Sequence, residues 1–540
     1  MPSVSIKAFA GLRPISDPTL LSQAEAQSAN NLKLVSGAIS ALLGTTTLKA
    51  LTKTTPATIY RYGTDASESN YWLEFLTDTD VVASPIAADP WQRLYWADGS
   101  QAMMGVNTGI VSGSTYPGSS YILGIPAPAS KPTISGTTPT AAAKSVTLTA
   151  IYTYVSAYGE EGPPSAAADV VSADTTQNIT LSSMSSAPSG NYNITSKRIY
   201  LSSTVGNQAQ FQFWKEVSVA TTSVSGAYDQ TALGEICPST LWVAPPADIR
   251  GIKLMGNGAV IGFKDNTAYL SEPNLPHAWP HQYPIDYKIV GVGVFGQTAV
   301  LLTNGYPYLI YGADPQAMST QKLSSPWACL SKRSIVDTGD GVIYASSEGL
   351  VMISSSGMDL LTKSLFRAEQ WRDYNPSSMY AVLYNSRYHC FYTKADGTRG
   401  TLVFDFTGQG ASLTTSDINT STAVSAVFAD PRTGTMYMAQ GGNIIRFDRG
   451  SALTYKWRSK KFRAAYPMNF GYAQVVATTY PVTLNVYADG ALKTSKSITS
   501  QEVTTLASGF RGLDWELELI GTSDVTQLNM ATSVDEIKSL

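Results

Sequence analysis

The chain has 540 residues, 43% of them hydrophobic and only 14% charged, and a formal charge of −3 from 37 Lys and Arg against 40 Asp and Glu. That balance excludes the overall basic surface of a dedicated nucleic-acid binder. A charged fraction well under the usual roughly 25%, with Ser, Thr, Gly and Tyr in its place, favours short strands and turns over long solvated helices. It also suits a surface largely covered by neighbouring molecules.

Residues 1–55 read as an irregular arm packing on the next domain, and LLSQAEAQSANNLKL (20–34) as a turn or two of helix too sparse in apolar positions to stand alone. The opening MPSVSIKAFAGLRP has no basic segment leading into an apolar one, and no stretch approaches the roughly 20 apolar residues of a membrane span. The expectation is a chain folded in a reducing cytosol without a membrane anchor. Cys237, Cys329 and Cys390 are too few and too scattered for a disulfide framework and read as small buried apolar residues.

From 56 the pattern turns strand-like, with TIYRY, YWLEFLT, DVVAS and RLYWADG each rich in β-branched or aromatic residues. The rhythm resumes after 249 in GAVIGFKDNTAYLS, TAVLLTNGYPYLIYG, GVIYASSEGLVMISSSG, YHCFYTKADGTRGTLVFDF and GTMYMAQGGNIIRFD. These strand–turn–strand units recur every ~40–50 residues, which predicts a β-propeller over 56–127 and 249–454. Between them, residues 128–248 lie between the Pro-rich segments IPAPASKP and VAPPAD, the flanks of an inserted domain. Inside the insertion, IYTYVSAYGEEGPPS (151–165) resembles the end of a fibronectin type III module, placed before segments that resemble its earlier strands. The order therefore looks circularly permuted.

After 455 the rhythm stops. VTLNVYADG (482–490) turns Val482, Leu484 and Val486 inward and ends on the hairpin signal Asp489-Gly490. LDWELELIG (513–521) places Trp515, Leu517 and Leu519 on one face, with Glu516 and Glu518 on the face expected to meet water. Residues 455–540 thus read as a C-terminal β-sandwich. The predicted fold class is all-β: a β-propeller, an inserted fibronectin-III-like β-sandwich and a C-terminal β-sandwich.

Residue types that carry chemistry are scarce. His277 and His281 are four apart in PNLPHAWPHQYP, but Pro276, Pro280 and Pro284 forbid the helix that would aim both at a zinc ion. His389 and Cys390 are neighbours on a strand and face opposite ways, so they cannot form a nucleophile–base pair. Asp337 and Asp340, Asp78 and Asp80, and Glu160 and Glu161 fall in turns, where carboxylates usually serve local backbone N–H groups. No sialidase-type box, Gly-rich phosphate loop or Walker pattern is present. The expectation is no catalytic, cofactor or metal site.

Several segments together resemble the tail tubular or nozzle proteins of short-tailed bacteriophages. They are FAGLRPISDPTLLSQAEAQSANNLKLVSGAI (9–39), YTYVSAYGEEGPPS, KRIYLSS, PPADIRGIKLMGNGAVIGFKDNTAYLSEPNLPHAWPHQY (245–283) and YKWRSKKF. The likeness keeps its order nearly from end to end. It implies a propeller-bearing subunit of a homo-oligomeric ring, a hexamer, in the virion tail, assembled in the bacterial cytoplasm. The ring would join the portal-adaptor (head-to-tail connector) to the distal tail, needle or tail-fibre proteins. Double-stranded DNA would pass its channel only transiently, since every retained phosphate contact slows ejection. The alternative from the same composition is a receptor- or glycan-binding tail protein using Tyr- and Trp-rich loops. A propeller hydrolase is a third reading.

The densest positive charge, YKWRSKKFR (455–463), sits where the propeller rhythm gives way to the last sandwich. Read as one strand, it has Trp457, Ser459, Lys461 and Arg463 on one face and Lys456, Arg458, Lys460 and Phe462 on the other. Charge on both faces leaves no phosphate track. Lys456, Trp457, Arg458, Lys460, Lys461 and Arg463 are therefore expected to form an inter-domain or inter-subunit joint, the cations meeting acidic groups on a neighbouring subunit.

Overall fold

In the computed structural model, residues 3–63, 67–205, 208–407 and 411–539 are described. Short β-branched and aromatic runs punctuated by Gly, Asn and Asp make the chain all-β: propeller-type four-stranded sheets, an inserted fibronectin-III-like β-sandwich and a C-terminal β-sandwich. Helices among the described residues do not exceed five residues, and none is long and apolar enough to cross a membrane. The chain divides into two compact units, one of Met1–Thr77, Leu302–Pro307 and Lys322–Leu540, the other of Asp78–Leu301 and Tyr308–Gln321.

In the second unit, one antiparallel sheet is built from Asp80–Ala83, Leu94–Ala97, Met103–Gly105 and Tyr121–Ile122. Another runs through Arg250–Leu254, Val260–Lys264, Thr267–Leu270 and His281–Pro284. The insertion has its own core, with Ile134, Tyr152, Tyr154, Ile179 and Leu201 buried between its small sheets. Its sheet of Ala150–Ser156, Ile194–Val205 and Gln208–Ser218 carries the Tyr-x-Tyr strand.

The first unit holds the meander Tyr380–Tyr384, Arg387–Thr393, Arg399–Asp405 and Ser412–Ser416. Its first turn, Asn385-Ser386, has φ of 49° and 57° at both central residues, the backbone twist that a two-residue hairpin needs. Asp489-Gly490 turns the later hairpin in the same way, as its sequence predicts, with φ of 50° and 77°. Gly341–Ala345 is buried on both faces.

The N-terminal segment differs from expectation. No helix forms over 20–34; Ala26–Asn30 and Leu32–Val35 are strands. Ser3–Ile6 pairs with Val525–Ala531, and Ala26–Asn30 lies between Ser412–Ser416 and Tyr455–Ser459. Thr46–Ala50 completes the sheet of Val424–Asp430, Thr435–Gln440 and Asn443–Arg446. Small residues explain why the pattern was faint: Ala26 and Ala29 are 1% exposed and fill narrow space beneath neighbouring strands. Val4, Ile6 and Phe9 share one core with Trp457, Val482, Leu484, Val486, Trp515 and Leu517. Fully burying side chains of this size stabilises by about 2–3 kcal/mol each.

Two further expectations are corrected. Glu516 and Glu518 do not face water but are 3% and 1% exposed. Both faces of the strand Gly512–Gly521 are covered over residues 515–519, and cations from the neighbouring strand meet the carboxylates. Glu160 and Glu161 are likewise buried, at 5% and 4%. Glu160 meets Arg93 at 3.0 Å, and Arg93 in turn holds Asp89 at 2.8 Å. Glu161 meets Arg198 at 3.0 Å and accepts hydrogen bonds from Thr153 and Tyr200. These turn carboxylates bond over long sequence distances because buried charge needs a partner.

Candidate functional site

The basic stretch is two strands, Tyr455–Ser459 and Phe462–Met468, broken at Lys460-Lys461. The break resets the alternation. Trp457 and Phe462 therefore point into one core although they stand five positions apart, an odd offset that on one unbroken strand would put them on opposite faces, and Arg463 turns to solvent instead of sharing the face of Trp457. Trp457 is fully buried, edge-on to Phe9 at 4.9 Å, and its indole N–H donates to the Ala10 carbonyl at 3.1 Å.

Each expected cation can be located. Lys456 Nζ lies 3.0 Å from Glu518, and Arg458 grips Glu516 through Nε and Nη2 at 2.9 and 2.8 Å. Arg458 also lies over the Tyr487 ring, 4.1 Å from its centroid. Arg463 forms a two-pronged pair with Asp514 at 2.8 and 2.9 Å. Lys460 donates to the Leu21 carbonyl, and the backbone N–H of Lys461 donates to Pro18. Lys456, Arg458 and Arg463 thus meet carboxylates of their own chain, on the strand Gly512–Gly521. The two central lysines meet the N-terminal segment.

Electrostatics follow the packing. Burial of Glu518 opposes its ionisation, yet hydrogen bonds from Asn485 and Lys456 outweigh it and hold the carboxyl below its ordinary value. Arg463 holds Asp514 down in the same sense. Burial pushes His389 down to about 3, helped by the charge of Arg387, and pushes His277 down to about 4, helped by Arg93. Both imidazoles are therefore neutral. His281 lies 3.2 Å from Glu272. Cys237, Cys329 and Cys390 are all buried. No group of three or more His, Cys, Asp or Glu that could hold a metal occurs among the described residues.

Beside the joint the sheet face opens into a polar groove of about 580 Å³ that sequence reasoning missed. Gln27, Asn30, Arg399, Thr401, Lys456 and Arg458 are among the residues lining it. They come from strands distant in sequence, so no local motif could announce the site; the only signal was the cluster at 456 and 458. Its polar groups are fixed in place. Thr415 donates to Asn30 Oδ1 at 2.9 Å, Asn30 donates to Asp417 at 2.8 Å, and Arg399 donates to the Ser421 carbonyl at 3.0 Å.

The fold defines an all-β protein with propeller-type sheets and two sandwiches. No family model matches the chain, and no curated protein does. Among solved structures it is similar to BBS1N in complex with ARL6DN, at 10% identity over 52% of this chain and 85% of that one, with a TM-score of 0.25. It is similar to a chain of the Mitotic Checkpoint Complex at 9% identity, over 73% of this chain and 98% of the other, with a TM-score of 0.27. For the N-terminal domain of Nup159 the identity is 9%, the coverage 52% and 90%, and the TM-score 0.23. Likeness at this level carries no argument about function.

Proposed function

We propose that the chain is a structural virion protein, a ring-forming nozzle subunit of a short-tailed bacteriophage tail. It joins the portal-adaptor to the distal tail and encloses the channel through which DNA leaves. The role is mechanical, with no chemical step. The observation that carries this reading is the ordered set of segments from residue 9 to residue 462 that resembles such proteins.

Physical features of the chain are consistent with that role. Low charge suits a surface covered by other subunits. Basic side chains neutralised by carboxylates suit a conduit that must not retain phosphates. An N-terminal segment paired into the C-terminal sandwich suits a wall element under load. Electron microscopy of the purified protein and of virions tests the proposal. Rings with an axial channel, placed between the head connector and the distal tail, are expected. Monomers under all assembly conditions, together with absence from the tail, would reject it.

A further inference from the structure

The groove beside the joint has the chemistry of a binding site, and nothing in the nozzle reading uses it. It crosses one face of the sheet containing Arg387–Thr393, Arg399–Asp405, Ser412–Ser416, Ala26–Asn30 and Tyr455–Ser459. Its volume of about 580 Å³ falls within the range of small-ligand sites, roughly 300–1,000 Å³.

Three observations point to a ligand and to its class. First, Thr401 lines the groove, is 2% exposed, and its hydroxyl has no hydrogen-bond partner. A buried hydroxyl left unpaired costs about 1–3 kcal/mol, and a ligand hydroxyl would satisfy it. Second, Gly400 forms part of the wall where a Cβ would stand 2.4 Å from the Tyr392 hydroxyl. Only glycine lets that hydroxyl and its aromatic ring reach the groove, and an aromatic ring with a polar tip is a suitable platform for an amphipathic ligand. Third, the charges cancel. Arg399, Lys456 and Arg458 are offset by Asp417 in the wall and by Glu518 and Glu516 paired to the latter two cations. A site for a phosphate backbone or an acidic chain would leave cations in excess. This one offers fixed donors and acceptors with no excess charge, the arrangement that recognises many hydroxyl groups at once.

We propose that this groove binds a neutral oligosaccharide, with Thr401, Asn30 and Tyr392 among the groups that meet its hydroxyls. The inference does not rest on ring assembly, and it fails separately from the nozzle reading.

The test uses the full chain on an array of short neutral oligomers of glucose, galactose, rhamnose and N-acetylglucosamine. Uronate-bearing oligosaccharides and single-stranded DNA stand beside them as competing classes, and affinities are taken by calorimetry. Retention of at least one neutral oligomer is expected, at millimolar affinity or tighter and little changed by added salt. Thr401→Val replaces an unpaired hydroxyl by a methyl group of the same shape, so its circular dichroism should match the parent while affinity falls about five- to tenfold. Gly400→Val should abolish retention. Binding confined to acidic oligosaccharides or DNA, absence of any binding, or full affinity in Thr401→Val would each overturn the proposal.

Discussion

Replacing Arg458 by Met tests the view that the basic stretch is a joint neutralised within its own chain. Glu516 is 4% exposed at its side chain and Arg458 is 27% exposed. Without the guanidinium, the carboxylate retains Gln27 Nε2 at 2.7 Å as its remaining side-chain donor. Stranding a buried charge costs about 3–5 kcal/mol. Partial exposure of the arginine and the Gln27 bond argue for the lower end, even with about 1 kcal/mol lost from the contact with Tyr487. The expected cost is about 3 kcal/mol.

The reverse change, Glu516→Gln, leaves Arg458 able to turn toward water and should cost only about 1 kcal/mol. The double variant Arg458→Met/Glu516→Leu removes both charges and should return to within about 1 kcal/mol of the parent. Hydrogen exchange read by mass spectrometry over residues 455–463 measures the local opening free energy without assuming two-state unfolding of a large chain. About 3 kcal/mol corresponds to roughly a hundredfold loss of protection. Equal protection in Arg458→Met and the parent would refute the reasoning. So would a double variant as exposed as the two single losses combined.

Because His389 titrates near 6.5 when unfolded but is held to about 3 by burial, its stabilising effect is complete above pH 6.5 and is lost as pH falls. Denaturant unfolding should show about 2 kcal/mol less stability of the first unit from this group at pH 5 than at pH 7, and His389→Phe should flatten that slope. Glu518, held below its ordinary value of 4.5, stabilises above that pH and loses the effect as pH falls through its lowered value. Glu518→Gln should therefore shallow the acid limb of the stability curve below about pH 4.5. Charge reversal of Lys460 and Lys461 together should weaken ring assembly, read by sedimentation, more than DNA retention, read by filter binding; the opposite ranking would restore a DNA-contact role. Finally, His277→Gln and His281→Gln should leave metal content by mass spectrometry unchanged, and stoichiometric zinc lost in both would reject the structural role of these histidines.

Periodicity made the middle of the chain legible. Runs such as GVIYASSEGLVMISSSG carry strand and turn signals within a few residues, so their sheets follow from local chemistry. The inward set Val482, Leu484 and Val486 and the turn at Asp489-Gly490 were readable for the same reason. Polar residues defeated the reading where burial depends on a distant partner. Glu516 and Glu518 look solvated until Arg458 and Lys456 are placed opposite them, and Glu160 looks like a turn residue until Arg93 is. The groove was hidden too, since Asn30, Thr401 and Lys456 meet only in three dimensions. Ala26–Asn30 carries little strand signal because alanine reports burial weakly and its strand mates are hundreds of residues away.

That last pairing also sets the order in which the protein can be made. Gln27 and Ser459, bonded in the finished molecule, are 432 residues apart. A ribosome adding ~5–20 residues per second leaves the early strand waiting tens of seconds for its neighbour. Ala26–Asn30 emerges long before that partner, with its backbone donors and acceptors unmet and its edges free to pair wrongly. Domains usually fold as they leave the ribosome, N-terminal first; here an early strand completes its sheet only after the strand at 455–459 has arrived. Synthesis therefore delivers a first unit that closes late, with a slow final step set by long loop closure. A chain truncated before residue 455 should present its N-terminal strand to chaperones or to other copies rather than fold around it.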